Sequence, residues 1–207
     1  MATAAIITSR RALALFLMGL VATLALLSST PNAIAAGGCP GSLTTPFLPW
    51  ADSNHYWLAP GGSFEDSHSS WALTGGAAVG SGSETFFVGN TGDKHSLSIP
   101  AGGSATTPPI CVTVVSPLMR FFAKGGNSAS PLKVEVLATT PLGTAQLKVA
   151  SIPASATWAP TSQVYFLSNI LALVGPGGTT SVKFRFSNPG TAAWQIDDVY
   201  VDPWKFR

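Results

Sequence analysis

The chain has 207 residues, with 11 Lys and Arg against 9 Asp and Glu and a formal net charge of +2. Charged residues make up only 10% of it, far below the usual quarter, while 21 Gly, 16 Pro, 6 Trp and 11 Phe stand out. So many large aromatics exclude a disordered chain, and the length suffices for one domain with a real core.

Arg10 and Arg11 precede an apolar run from Ala12 to Leu27, and a small-residue stretch follows that ends Ala33-Ile34-Ala35. A basic start, an apolar middle and an Ala-x-Ala end describe a secretory signal peptide over residues 1–35. An uncleaved N-terminal anchor on the outer face of the cell membrane is the alternative. Lipidation at Cys39 is a third arrangement, although Ala36 stands where a lipoprotein box usually has Leu. Removing residues 1–35 takes two cations and leaves nine against nine acids, a net charge of zero. That balance removes the basic surplus on which nucleic-acid binding usually rests. No later run reaches the roughly 18 apolar residues of a spanning helix, so no membrane span is expected after cleavage.

After the signal comes a leader, residues 36–54, that is expected to run along the domain surface. The domain proper is read as 55–207. In chain order, His95–Ile99, Ile110–Val114, Met119–Lys124, Leu132–Leu137, Ala145–Val149, Ser181–Ser187 and Trp194–Val201 read as strands. Apolar and polar residues alternate in most of them; Val182, Phe184 and Phe186 oppose Lys183 and Arg185. Glycine-rich turn signals lie between, such as Pro60–Gly62, Gly89–Gly92 and Gly175–Gly178. Val164–Val174 suits a short helix or a strand equally. The pattern predicts an all-β sandwich or barrel in one domain, expected as a monomer.

An exported chain meets an oxidising environment, where Cys39 and Cys111 are expected to pair and tie the leader to a mid-chain strand. Two free thiols are the other arrangement. No zinc site is expected, because His55, His68 and His95 lack ligand spacing.

Four segments in order carry a resemblance: Ser63–Asp66 followed by Trp71, Gly92–Ile99, Arg120–Ala123 and Trp194–Val201. Together they resemble the jelly-roll carbohydrate-binding modules of the galactose-binding-like superfamily, above all those appended to xylanases and β-glucanases. The chain also resembles small exported single-domain proteins of actinobacteria. The resemblance implies a structural Ca²⁺ held by Glu65 and Asp198, with carbonyls near Ser63 and in the 93–95 loop. Such ligands suit a hard cation that takes six to eight oxygens. A bulge at Asp197-Asp198 with one carboxylate paired to Lys or Arg is the other reading.

The resemblance also implies a polysaccharide or cell-surface glycan partner. Trp57, Arg120 and Tyr165 are the candidate ligand-binding residues, while Trp71 and Trp194 are expected in the core and Trp158 in either place. No catalytic residues are expected. Glu135 lies on the polar face of an alternating strand, and no nucleophile elbow or phosphate-binding loop is present. The expected function is a secreted, non-catalytic binding module. The alternative is a structural or protein-interaction domain of the cell envelope without a glycan site.

Overall fold

The computed structural model describes residues 41–66, 70–115, 118–140, 143–167, 171, 173, 175 and 178–202. The expected signal peptide and Cys39 lie outside these residues. All described residues belong to one compact unit that begins at Gly38. No helix among them is long and apolar enough to cross a membrane.

The fold is a sandwich of two antiparallel sheets, as the alternation predicts. The first is ordered β10 (Ser155–Pro160), β7 (Leu118–Gly125), β13 (Trp194–Asp202), β4 (His95–Ile99), β3 (Ala78–Ser81). Two short strands extend it, β1 (Trp57–Leu58) on β13 and β11 (Val164–Tyr165) on β7. The second is ordered β2 (Ala72–Thr74), β5 (Ser104–Thr106), β12 (Thr179–Ser187), β8 (Leu132–Thr140), β9 (Gly143–Ile152), with β6 (Ile110–Thr113) also on β12. Among the described residues of Val164–Val174, Val164 and Tyr165 form the strand β11.

One set of alternate residues from each sheet meets in the middle. Met119, Phe121 and Ala123 of β7 pack with Val182, Phe184 and Phe186 of β12 and with Leu132, Val134 and Val136 of β8. Trp71 stacks on Phe186 at 5.7 Å between ring centres, and Trp194 is fully buried. Burying each large apolar side chain contributes about 1.5–3 kcal/mol, so this layer is the main source of stability.

A second apolar cluster lies on the outer face of the first sheet, where the leader departs from expectation. Phe47 does not run over the surface; it is fully buried between Tyr56, Phe122 and Tyr200. A bridge between Thr44 and Tyr56, with hydrogen bonds of 2.8 Å in both directions, folds residues 44–56 back over β7. Phe122, Tyr200 and Leu118 point away from the main core and would be bare without this cover. The physical reason is therefore hydrophobic: an exposed aromatic face recruits the segment ahead of it.

Candidate functional site

Three regions concern function: the Arg120 network, the acidic bulge of β13 and the outer face of the second sheet.

Arg120 sits mid-strand on β7 and is only 8% exposed. It does not project as a ligand-binding side chain. One terminal nitrogen donates to Asp52 Oδ2 at 2.6 Å, Nε donates to the Thr161 carbonyl at 2.9 Å, and the guanidinium lies 4.3 Å from the Phe47 ring centre. Asp52 also accepts from Tyr56 Oη at 2.7 Å, Gln163 Nε2 at 3.1 Å and the Asn54 amide at 3.1 Å. Burial pushes the Asp52 carboxyl up, but the donors from Tyr56, Gln163, Arg120 and Asn54 outweigh it and leave its pKa below the usual range. Burial and the neighbouring Asp52 raise the Tyr56 phenol. The cation was legible in the sequence; its partner in the leader was not, since 68 positions separate them.

Trp57 is 8% exposed and belongs to the main core, so it offers no platform. Trp158 is buried as well, with Lys124 Nζ 5.2 Å from its ring centre. Tyr165 is different: it is 46% exposed on β11, and its hydroxyl donates to Gln163 Oε1 at 2.8 Å. Through Gln163 and Asp52, Tyr165 and Arg120 share one network. Gln163 and Val164, next to Tyr165 in the chain, line a cavity of about 270 Å³ between β9 and the β10–β11 edge. Ile152, Pro153, Ser155, Thr161 and Gln163 are among its lining residues.

The acids of β13 form the second region. The register shifts between Asp197 and Tyr200, and Asp198 has φ 49°, so a bulge is present. It lies in a central strand, and among the described residues neither carboxylate is paired to Lys or Arg. Asp197 accepts from Ser83 Oγ at 3.0 Å, the Glu84 amide at 2.9 Å and the Asp198 amide at 2.9 Å. Glu84 is fully buried; its carboxylate accepts from the Phe86 amide and, at 2.8 Å, the Val88 amide. Asp198 is 2% exposed, and its Oδ1 has no hydrogen-bond partner. Burial, then Asp197, Glu84 and Asp93, push its pKa up to about 8; burial pushes Asp197 up to about 7.

Glu65 is held at the neighbouring loop. Its carboxylate accepts from the Lys94 amide at 2.7 Å and the His95 amide at 2.6 Å, and lies 2.9 Å from His95 Nδ1. Asp93 stands between the two expected calcium ligands: burial and Glu65 raise its pKa, and Asp93 in turn raises that of Asp198. Gly89 faces the same space. A side chain there would begin 3.0 Å from Asp93 Oδ2 and 3.2 Å from Asp198 Oδ1. Among the described residues no three His, Cys, Asp or Glu side chains converge as a ready metal site. A buried carboxylate oxygen without a partner, a second acid close by and an open glycine cradle nevertheless fit a hard cation completed by main-chain oxygens. The resemblance implied Glu65 and Asp198 with carbonyls in the 93–95 loop; the Asp93 carboxylate and the close approach of Gly89 to Asp198 come from the fold.

No family model and no curated protein matches the chain. Solved structures do. The chain is similar to the CBM22-1 xylan-binding domain of Xyn10C from Paenibacillus barcinonensis, at 16% identity and TM-score 0.47, over 70% of this chain and 93% of that one. It is similar to TmCBM61, solved with β-1,4-galactotriose, at 11% identity and TM-score 0.42, over 70% and 96%. It is also similar to the enzymatically active domain of tailspike protein 4 of bacteriophage CBA120, at 16% identity and TM-score 0.43, over 68% and 20%. Identities this low carry no residue roles from one chain to the other.

Proposed function

We propose that the chain is a secreted, non-catalytic carbohydrate-binding module with a structural calcium ion. The carrying observation is the exposed Tyr165 ring, whose hydroxyl donates to Gln163, itself one of the residues lining the cavity between β9 and the β10–β11 edge. A half-exposed aromatic held by its hydroxyl presents an apolar face at low entropic cost, and hydroxyl and amide groups beside it suit the hydroxyls of a neutral sugar. Glycoside hydrolysis needs two carboxyl groups across a bond. Here Asp197, Glu84, Glu135 and Asp52 are buried and each is held by donors, which supports a binding role.

In this reading Asp198 and Asp93, with main-chain oxygens and Glu65 close by, would hold the calcium ion, which would supply the positive charge that the β13 bulge lacks. It would stiffen the loop 89–95 against the sheet and take no part in chemistry. The Cys39–Cys111 bridge belongs to the same proposal, as a tie between the leader and β6.

Retention on insoluble neutral glycans tests the reading. Xylan and β-1,4-galactan are the first probes, because the similar modules are named for xylan and crystallised with galactotriose. Retention that weakens in Tyr165→Ala supports it. Absence of binding across plant, bacterial and chitin-type glycans overturns it and favours an envelope interaction domain. One feature supports that second reading: Leu48, Phe86 and Phe87 are 57%, 44% and 46% exposed, close to the face that the leader covers.

A further inference from the structure

The two outer faces of the sandwich are unlike. That of the first sheet is covered by residues 44–56, whereas that of the second remains polar and charged. Strand alternation places Lys183 and Arg185 of β12, Lys133 and Glu135 of β8, and Gln146 and Lys148 of β9 on this outer face, because Val182, Phe184, Val134 and Val136 fill the core. Arg185, Glu135 and Lys148 are directly opposite one another across three adjacent strands.

The charge on this face is unbalanced. Glu135 is 4% exposed and paired to Lys133 at 2.5 Å, with Gln146 Nε2 donating to it at 2.8 Å. That one pair leaves Lys148 and Lys183 without a carboxylate partner among the described residues. Lys183 and Lys148 are exposed. Arg185 donates to Ser104 Oγ at 3.3 Å and interacts electrostatically with Glu135 on the neighbouring strand, while its Nε has no acceptor among the described residues. The acids meanwhile gather elsewhere, around the β13 bulge. The zero net charge of residues 36–207 therefore hides a separation of charge, with a cationic sheet face on one side.

We propose that this face is a binding surface for a carboxylate-bearing polysaccharide, separate from the Tyr165 cavity. The chemistry favours this occupant. A guanidinium fork and two ammonium groups match carboxylates, and Thr74, Ser104, Thr106 and Gln146 supply hydroxyl and amide partners beside them. No outer-face position of the described strands of this sheet is aromatic, so neither neutral pyranose rings nor nucleic-acid bases find a stacking platform. Its apolar side chain Leu137 is half-buried, which gives no anchor for a lipid surface.

The test is affinity electrophoresis of the purified chain in native gels containing polygalacturonate, with xylan and galactan gels in parallel. Retardation by polygalacturonate, its loss at high salt, and weakening by at least about tenfold in Lys183→Gln/Arg185→Gln support the proposal. Lys148→Gln/Lys183→Gln alters only exposed side chains and is expected to weaken binding in the same direction, even where the Arg185 variant folds poorly. Wild-type retardation in both double variants overturns the proposal, as does no retardation at all. Equal retardation by duplex DNA overturns the polysaccharide assignment. Loss of polygalacturonate binding in Tyr165→Ala overturns the separation of the two sites. Neutral-glycan retention reads the Tyr165 site independently, so either site can fail without the other.

Discussion

Arg120 of β7 and Asp52 of the leader form a buried ion pair at 2.6 Å, with side chains 9% and 8% exposed. The pair fastens the segment over the outer face of the first sheet, where Phe47 supplies the packing and Asp52 the register. Removing one partner leaves the other charged, buried and uncompensated, which costs about 3–5 kcal/mol. Arg120→Met is therefore expected to lower the urea midpoint sharply. The Asp52 pKa is lowered on folding, so its contribution is complete above the ordinary value of 3.8 and is lost as pH falls through the folded value. The gap between wild type and Asp52→Asn should narrow below pH 4.

Without calcium, the bulge of β13 has the opposite pH dependence. Asp197 and Asp198 are raised to about 7 and about 8 from 3.8, so the folded chain holds protons that the unfolded chain has released. Stability of the EDTA-treated protein should fall as pH rises between about 4 and 8. Asp198→Asn should flatten that slope, as read from melting temperatures across the range.

Added Ca²⁺ should raise the melting temperature most at pH 8, where the carboxylates are ionised, and little at pH 5. Asp198→Asn and Asp93→Asn should each weaken the response. A wild-type melting curve that calcium leaves unchanged at pH 8 would remove the metal from the account.

Tyr165→Ala should weaken neutral-glycan retention by roughly fivefold to tenfold, the scale of one aromatic contact. The melting temperature should hardly move, because the ring is 46% exposed.

Gly126 has φ 71°, and a methyl group there would begin 2.3 Å from Trp194 Cζ2. Gly126→Ala should cost about 2–4 kcal/mol from overpacking and the left-handed backbone together. Denaturant unfolding with Trp fluorescence would measure it.

Reduction of the expected Cys39–Cys111 bridge should lower stability by up to about 4 kcal/mol, through the freedom restored to the unfolded chain. A thiol assay on the denatured, unreduced protein distinguishes the bridge from two free cysteines.

The strands were legible where both faces of an element differ. Ser181–Ser187 and Leu132–Leu137 alternate because one face meets the core and the other meets water, so period alone locates them. Short strands such as Ala78–Ser81 and Ser104–Thr106 carried no such signal, since small residues pack without a hydrophobic rhythm. At the candidate sites, Glu65 and Asp198 were named through the resemblance, and Gly89–Gly92 was legible as a turn. That the Asp93 carboxylate and Gly89 come close to Asp198 depends on how that turn lies against β13.

The amino-acid sequence by itself determined an all-β sandwich, its principal strands and the neutral balance of charge after the N-terminal segment. Those properties follow from local alternation and composition. Only the tertiary structure decided that Trp57 faces the core, that Arg120 is spent on Asp52, and that the leader covers one sheet. It also decided that Lys133, Lys148, Lys183 and Arg185 share the outer face of the second sheet. Burial and charge pairing depend on residues far apart in sequence, and chain-local patterns cannot encode which distant partner arrives. The neutral total thus became two separated fields, and the place of Lys148, Lys183 and Arg185 on one face is a consequence of strand order alone.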